Sequence, residues 1–458
     1  MRSTIAVMLI GMVAWAGCGK KDQDQAAKPP PEPQKPTPTD PTPTPPPSPD
    51  PIAEPKDPAM PPADPAAMAA ATQGARAFAI ALYDALRGEP GNLFFTPASV
   101  RIALAMTAVG ARGDTAAELT KVLGLPADPA AAAAGFAAIL DSFAQRPKPA
   151  ITPGMEDWQR DEAQRKTATV AIANRVWPQA GRRFEPSFVD TLAKQFGAPM
   201  QALDFAADHD AARKTINAWV AEQTAQKIPE LLQPPDVQAA TRVVLTNAIY
   251  FKAQWAEPFE PDATRDGEFT TDRGKKVKVP MMAKTEHLRY AEAPTYQALE
   301  LPYADGSLAM TVILPKPGKP LAQVEADALA GIGVVFTSQR VALQLPRWKI
   351  DARFALADTL RKLGIRAAFE FGPADFSGID GTRELFIGNV VHQAVITVDE
   401  HGTEAAAATA VGMVAGSAPP ADPPKRFVAD HPFVFVIRDA KTGVVLFVGR
   451  LADPTAAR

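Results

Sequence analysis

Few residues in this sequence have the types and spacing that catalysis or metal binding needs. The histidines are His209, His287, His392, His401 and His431. The only cysteine is Cys18. The chain has no HExxH or His/Cys ligand spacing, no GxSxG segment and no glycine-rich phosphate loop after a strand, and Ser417 has no base nearby in the sequence. We therefore predict no catalytic residues, no metal, no cofactor and no enzymatic activity.

The stretch from Val398 to Pro420 is unusual for a globular protein. It reads VDEHGTEAAAATAVGMVAGSAPP, a strand-like start followed by an alanine run and then glycine, serine and proline. A loop of this length without structure of its own is usually functional or disordered. Alanine is the best helix former, but Gly402, Gly412 and Gly416 around the run disfavour a stable helix. We predict an exposed loop.

The alternation of side chains in this stretch would suit a strand. Successive residues of a strand point to opposite faces. If Thr403 faces the core, then Ala405, Ala407, Thr409 and Val411 face it as well, whereas Glu404 faces solvent. Small inward residues could enter a sheet without forcing its packed neighbours apart.

The elements that would position this loop are helices early in the chain and strands late, which favours an α+β fold. Thr96 with the following proline predicts the start of a helix that runs to about Gly110. Thr115 and Glu118 form a capping-box pattern for the next helix, which ends at Gly124. Strand-like runs are TVAIANRVW, TRVVLTNAIYF, ELFIGNVVHQAVITVDE, PFVFVIRD and VVLFVGRL.

The N-terminal part of the chain has a different composition. A basic start, a short apolar stretch and small residues before Cys18 predict residues 1–18 as a lipoprotein signal peptide with a lipobox, and an ordinary signal peptide is the alternative. Residues 19–72 contain all 18 prolines between Pro29 and Pro65, and this composition predicts a disordered tether, with a proline-rich docking ligand as the alternative. We predict that residues 73–458 form one folded domain, with an exposed polar insertion at 146–166. The net charge of the whole chain, −3, gives no case for a nucleic-acid partner.

Four stretches in order resemble the serpin family of serine protease inhibitors. They are NLFFTPASVRIALAMTAVGARGDTAAEL, TNAIYFKAQWAEPF, HQAVITVDEHGTEAAAATA and ADHPFVFVIRDAKTGVVLFVGRLADP. The resemblance implies a bundle of about eight or nine helices, three β-sheets and an exposed reactive-centre loop. It also implies a suicide substrate: a protease attacks the loop, forms an acyl-enzyme, and the cut loop inserts into the main sheet.

The resemblance assigns roles to individual residues. The hinge of the loop corresponds to Glu400, Gly402, Thr403, Glu404, Ala405, Ala406, Ala407, Ala408 and Thr409. The shutter, where the sheet opens, corresponds to Ser99, Asn247 and His392, and the breach, where the loop enters, to Trp255. His392 within a strand pattern also fits a hydrogen-bonded core histidine, and Trp255 also fits simple core packing. His401 departs from the family's common acidic residue.

The reactive bond is counted from the hinge. The count gives Gly416–Ser417, and counting back from Pro432 gives a later position, so we bracket the bond between Met413 and Ala418. The uncharged residues there suit an elastase-like or subtilisin-like serine protease. We expect a monomer, exported and anchored through Cys18 to a bacterial outer membrane or cell surface. The alternative is a non-inhibitory serpin that acts as a binding or chaperone-like protein, against which the small hinge residues argue.

Overall fold

The structure is a computed structural model, and it describes residues 65–144, 151–152, 154–165, 167–330, 335–388, 390–403 and 423–456. The predicted signal peptide with Cys18 and most of the tether lie outside these residues. So do the hinge residues from Glu404 to Thr409 and the predicted reactive bond Gly416–Ser417.

Ten α-helices lie within the described residues. They are α1 (Pro65–Leu86), α2 (Pro97–Gly110), α3 (Gly113–Leu123), α4 (Pro129–Ala144), α5 (Asp157–Arg165), α6 (Pro186–Phe196), α7 (Phe205–Gln223), α8 (Leu321–Ala330), α9 (Ala357–Leu363) and α10 (Ser377–Asp380). The count exceeds the expected eight or nine by including α5, which lies in the predicted insertion, and the four-residue α10.

Fourteen β-strands lie within the described residues, twelve of them in the second half of the chain. They are β1 (Leu93–Phe95), β2 (Thr169–Pro178), β3 (Val243–Gln254), β4 (Arg265–Thr270), β5 (Lys276–Glu292), β6 (Tyr296–Pro302), β7 (Leu308–Pro315), β8 (Thr337–Pro346), β9 (Trp348–Ala355), β10 (Val391–Val398), β11 (Gly402–Thr403), β12 (Lys425–Val428), β13 (Phe433–Asp439) and β14 (Val445–Leu451).

Two hydrogen-bonded networks connect these strands. The first has nine strands in the order β1-β14-β13-β7-β6-β5-β8-β12, with β4 also pairing with β5. The long strand β5 joins two sheets in this network, because it pairs with β4 and β8 along most of its length and with β6 near its end. The second network is the five-stranded sheet β2-β3-β11-β10-β9. The three sheets implied by the resemblance are therefore present.

The core lies between the sheets and on the helical side of the molecule. One cluster of buried apolar residues joins the five-stranded sheet to β5, β7, β13 and β14, with Trp255, Tyr303 and Phe435 among its members. A second cluster joins α1, α2, α3 and α6 to β13 and β14. The five-stranded sheet thus has packed side chains behind it, and any strand added to it must fit against them.

Helix α2 begins as the sequence predicts. Thr96 is its N-cap, with extended backbone angles and a side-chain oxygen that accepts a hydrogen bond from the Ser99 amide, and Pro97 follows at the first helical position. The helix ends at Gly110, as expected.

The capping-box prediction for α3 is wrong. The helix begins at Gly113, ahead of Thr115, although it does end before a left-handed Gly124. The Thr115 hydroxyl accepts a hydrogen bond from the Asp375 amide, and the Glu118 carboxylate accepts two from the amides of Arg366 and Ala367. Both side chains tie α3 to a distant loop instead of capping their own helix.

The limits of other elements also differ from expectation. The long strand expected from Glu384 is shorter, because β10 begins only at Val391. The strands expected at PFVFVIRD and VVLFVGRL are confirmed as β13 and β14. Helix α1 begins at Pro65, ahead of residue 73 where we placed the start of the folded domain. A proline at the first turn of a helix costs no hydrogen bond, so the proline-rich composition did not mark this boundary.

Candidate functional site: a hinge and a slot in the five-stranded sheet

The start of the predicted hinge lies inside the five-stranded sheet. After β10 the chain turns back, and β11 pairs antiparallel with β10 on one side (Val398 opposite Thr403) and with β3 on the other (Gly402 opposite Gln254, Thr403 opposite Ala253). We call this end of the sheet the upper end. Gly402 and Thr403 therefore form a two-residue strand between β3 and β10.

Gly402 is required by the close approach of β3. Its φ is +151°, a region that side chains rarely adopt, and a Cβ atom there would lie 2.2 Å from the carbonyl oxygen of Ala253. Any larger residue would push β11 away from β3. The backbone thus explains a glycine at this position of the hinge.

Thr403 faces the interior and is held by an aromatic pair. Its exposed fraction is 1%, and its hydroxyl lies 2.9 Å from the hydroxyl of Tyr303. Tyr303 stacks on Trp255 with ring centroids 4.7 Å apart, and Trp255 donates its indole N–H to the carbonyl of Asp399 at 3.0 Å. Burial raises the pKa of Tyr303, so its hydroxyl stays protonated. Trp255 therefore both packs in the core and binds the turn before the hinge.

Glu400 fixes this turn from the other side. The guanidinium of Arg347 donates from Nε to both carboxylate oxygens, at 2.7 and 2.8 Å, and the hydroxyl of Thr264 donates to the same carboxylate. Burial raises the pKa of Glu400, but the hydrogen bonds from Arg347 and Thr264 lower it by more, so the pKa lies below its ordinary value. The Glu400 carboxylate is thus ionised and paired. His401, the departure from the family pattern, is half-buried in the same turn.

Two of the three predicted shutter residues, Ser99 and His392, lie on α2 and β10. His392 is buried, and its Nε2 accepts a hydrogen bond of 3.1 Å from the backbone N–H of Thr96. Burial lowers the pKa of His392 to about 4, so the ring is neutral near pH 7. The amide of Ser99 donates to the Thr96 hydroxyl, and the Ser99 hydroxyl is buried without a partner in the described part of the chain.

Thr96 therefore connects Ser99 with His392, in addition to capping α2. Asn247 lies in β3 opposite Asn174 of β2, and its side chain lies outside the described part of the structure. The residues that hold the upper end, namely Tyr303, Arg347 and Thr264, were also missed. They come from three distant segments, and no local pattern marks them.

A cavity of about 430 Å³ lies near the lower end of the sheet, between the first residues of β3 and of β10. Val243 and Leu245 form one wall, and Val391 and His392 form the other. Helix α2 contributes its floor through residues such as Leu104. Over the described residues, β3 and β10 are joined only through β11 at the top. We call the space between β3 and β10 below Thr403 the slot.

Other kinds of site find little support in the described part of the chain. It contains no group of three or more His, Cys, Asp or Glu side chains that could hold a metal ion. None of the helices that could be searched there is long and apolar enough to cross a membrane. The hinge and the slot are therefore the features from which we argue function.

Comparisons with known proteins identify the family. The model of the family described as "Serpin (serine protease inhibitor)" matches residues 73–454. The leukocyte elastase inhibitor of Bos taurus is 37% identical, over 82% of this chain and 97% of that protein. The crystal structure of a highly specific serpin from the insect Tenebrio molitor is 31% identical and covers 84% of this chain and 98% of its own, with a TM-score of 0.71. The chain belongs to the serpin family.

The same fold carries more than one activity among solved structures. Human thyroxine-binding globulin, in complex with thyroxine, is 27% identical to this chain, covers 85% of it and 100% of its own length, and gives a TM-score of 0.72. Membership of the family therefore does not by itself establish that this chain inhibits a protease, and inhibition has to be argued from the hinge and the slot.

Proposed function

We propose that this serpin inhibits a serine protease as a suicide substrate. The observation that carries the proposal is the position of β11: Gly402 and Thr403 already form a strand between β3 and β10, and the slot continues below them. A loop that enters the sheet after cleavage needs such a starting point. The small residues from Ala405 to Ala408 suit the space between packed strands.

The pairing register supports this proposal further. If β11 were extended in the same register, Val411 would lie opposite Leu245 of β3 on one side. On the other side it would lie opposite Val390, the residue just before β10. Leu245 and Val390 both line the cavity. Val411 shares the parity of the buried Thr403, so its side chain would point towards α2. The cavity would thus receive apolar side chains at the far end of the inserted loop.

The chemical step would be carried out by the target protease. Its serine Oγ attacks the carbonyl carbon of the residue before the reactive bond, the peptide C–N bond breaks, and an ester remains while the new amino terminus departs. With the bond at Gly416–Ser417, insertion of residues 404–413 would carry the ester-linked protease towards the lower end of the sheet. Hydrolysis of the ester by water would then have to be slower than insertion.

The target class follows from the residues around the proposed bond. Residues 414–418 are Val, Ala, Gly, Ser and Ala, which fit shallow apolar pockets and lack the Arg or Lys that trypsin-like enzymes need. The similarity to a protein named as a leukocyte elastase inhibitor supports an elastase-like enzyme. A subtilisin-like enzyme has the same chemical preference in our proposal.

The test is to mix the protein with pancreatic elastase, subtilisin and trypsin and to analyse the products on denaturing gels. We expect a covalent complex with at least one of the first two enzymes and none with trypsin. Loop cleavage with full recovery of protease activity for all three would contradict inhibition and favour a non-inhibitory serpin. Catalytic turnover of a small ester by the protein alone would contradict the expectation that it is not an enzyme.

We further propose that the protein is a monomeric bacterial lipoprotein, exported and anchored through Cys18 to the outer membrane or cell surface. The single cysteine of the chain at the end of a signal-like segment supports this location. Changing Cys18 to Ser should move the protein from the membrane fraction to the soluble fraction and leave inhibition unchanged. A Cys18→Ser protein that still sediments with membranes after a high-salt wash would disprove the lipid anchor.

A further inference from the structure

Strands β5, β8 and β12 present one face to solvent at the end of the nine-stranded network. Strand β8 lies in the middle, antiparallel to β5 and parallel to β12. Paired residues of neighbouring strands point to the same side, so Arg340 of β8 shares this face with His287, opposite it on β5, and with Arg426 of β12, which pairs with Ala342. These three side chains are exposed, whereas the residue after each of them is buried: Leu288, Val341 and Phe427.

The arginines on this face are not neutralised by neighbouring carboxylates. In the described part of the chain, neither Arg340 nor Arg426 forms an ion pair or a side-chain hydrogen bond. Arg289 of β5 points to the same face, but it is paired with Glu300 at 3.3 Å. An exposed arginine without a carboxylate partner has five N–H groups that can bind another molecule. We call the surface formed by His287, Arg289, Arg340 and Arg426 the basic face.

The spacing of the two unpaired arginines suits the carboxylates of another protein. Neighbouring strands lie ~4.8 Å apart, and residues on the same face lie ~6.7 Å apart along a strand, so the backbones of Arg340 and Arg426 are ~8 Å apart. The residues between them on this face, Ala342 and Thr285, are small. A protein surface can therefore approach closely, and both guanidinium groups can reach one carboxylate or two adjacent ones.

The basic face lies next to the reactive-centre loop in the chain. Strand β12 is the first strand after the loop, and Arg426 follows Ser417 by nine residues, which span at most ~30 Å when extended. A protease domain of ~200 residues has a radius of gyration of ~16 Å. A protease engaged at the loop therefore has part of its surface within reach of Arg340 and Arg426. This position favours the target protease as the partner of the basic face.

The charges argue against a polyanion or a membrane as the partner. Anionic lipid surfaces are bound by clusters of about four to eight cations, and nucleic acids by many phosphate contacts. The basic face offers two arginines without a carboxylate partner in the described part of the chain. The net charge of the whole chain is −3, which repels a long polyanion. A small acidic patch on a folded protein matches this face better.

We propose that Arg340 and Arg426 form a docking site for an acidic patch beside the active-site cleft of the target protease. The docking site acts before the loop is cut, because electrostatic attraction raises the rate of encounter. It also narrows the target class: among elastase-like and subtilisin-like enzymes, those with carboxylates around the cleft are preferred. This inference rests on the proposed function, since the protease meets the basic face while it attacks the loop.

The test presents one active site with two different surface charges. Subtilisin is used unmodified and after succinylation, which converts its lysine amines into amides that carry a carboxylate. The rates of loop cleavage and of protease trapping are measured for both forms, each relative to its rate on an uncharged peptide substrate. We expect the protein to react ~10-fold faster with succinylated subtilisin at low ionic strength. This preference should disappear at ~0.5 M NaCl, because salt screens exposed charges.

The variants remove the two unpaired arginines. The double variant Arg340→Gln/Arg426→Gln should lose the preference for succinylated subtilisin, and each single variant should lose part of it. The matched control is Arg183→Gln/Arg366→Gln, which changes the net charge equally at exposed arginines next to α6 and α9. Those helices pack in the other core cluster, so the control should keep the preference. Melting temperatures of all variants should equal that of the unmodified protein, since the four side chains are exposed.

The outcomes separate the docking site from the function on which it rests. A preference of equal size in the unmodified protein and in Arg340→Gln/Arg426→Gln would disprove the docking site, and so would the absence of any preference in the unmodified protein. If succinylated subtilisin cuts the loop faster but leaves with full activity, inhibition fails and the docking site is supported, because the cleavage rate reports the encounter alone. Dextran sulfate is the probe for a polyanion. Binding of dextran sulfate that is lost in Arg340→Gln/Arg426→Gln, with unchanged protease preference, would overturn the proposal.

Discussion

The two ends of the slot differ in the interactions that hold them. At the upper end, Thr403 is already seated between β3 and β10, held by Tyr303 and Trp255, and Glu400 is paired with Arg347. At the lower end, the first residues of β3 and β10 line a cavity. The upper end is closed by directional hydrogen bonds and stacked rings, whereas the lower end is a cavity with a mixed apolar and polar lining, covered by residues 224–241.

This difference gives insertion a direction. A strand that grows from Thr403 adds hydrogen bonds on both sides with each step, and its first pairing is already made. A strand that started at the lower end would have no pairing of this kind to extend from. The position of β11 therefore favours entry from the top, and most of the free energy of insertion remains to be gained below Thr403.

The largest expected effect comes from cleavage of the reactive-centre loop, because the cut loop can then insert into the lower part of the slot. Cleavage between Met413 and Ala418 should allow about ten residues to pair, at about 1 kcal/mol net per hydrogen bond, or of order 10 kcal/mol in total. The melting temperature of the nicked protein should therefore rise by about 20 °C or more. The measurement is a thermal unfolding scan of intact and subtilisin-nicked protein. An ordinary protein cut in a loop does not gain stability, so a nicked form that melts at or below the intact form would contradict the open lower slot.

The next effect concerns the buried position of Thr403 at the upper end. Replacing Thr403 with Arg places a charge in a buried position, which costs several kcal/mol and should expel β11 from the sheet. The variant should be cut by protease without trapping it, so the number of inhibitor molecules consumed per protease should increase severalfold. Glu404→Arg is the matched control, since the alternation turns that residue towards solvent. Equal stoichiometry for all three proteins would contradict the inward orientation of Thr403.

The third effect is a pH dependence at the lower end. The pKa of His392 is about 4 in the folded protein and near 6.5 when unfolded. The unfolded chain therefore binds a proton that the folded protein does not, and stability is lost as pH falls from 6.5 towards 4, reaching about 3 kcal/mol below that range. Denaturant unfolding at pH 7 and pH 4.5 should show a smaller loss for His392→Gln than for the unmodified protein. His287→Gln, at an exposed histidine, should behave as the unmodified protein does.

Local signals predicted some of this architecture. The cap at Thr96, the end of α2 and the strands β13 and β14 follow from residue types at short spacing. The resemblance of four ordered stretches then supplied the fold. Alternation alone predicted which residues share the face of Thr403, because the period of a strand is fixed by its backbone, and the structure shows that this face is the buried one.

The contacts that hold the site could not be predicted in this way. Tyr303 lies 100 residues from Thr403, and Thr264 lies 136 residues from Glu400. Such pairs depend on how the sheets pack, and no periodicity in one segment encodes its partner in another. The same reason explains the error at Glu118, whose spacing matches a capping box although its carboxylate binds amides 248 and 249 residues away.

The smallest expected effect tests whether the upper end is seated before cleavage. Tyr303→Phe removes the hydroxyl that lies 2.9 Å from that of Thr403, which should lower the free energy of unfolding by about 1 kcal/mol. Because this contact is present with the loop uncut, the loss should be the same in the intact and the nicked protein. Tyr290→Phe, at a buried tyrosine in the other sheet network, is the control for loss of a hydroxyl and should not depend on the hinge. A Tyr303→Phe penalty that appears only after nicking would mean that Thr403 enters the sheet on cleavage, and the contrast between a closed upper end and an open lower end would no longer hold.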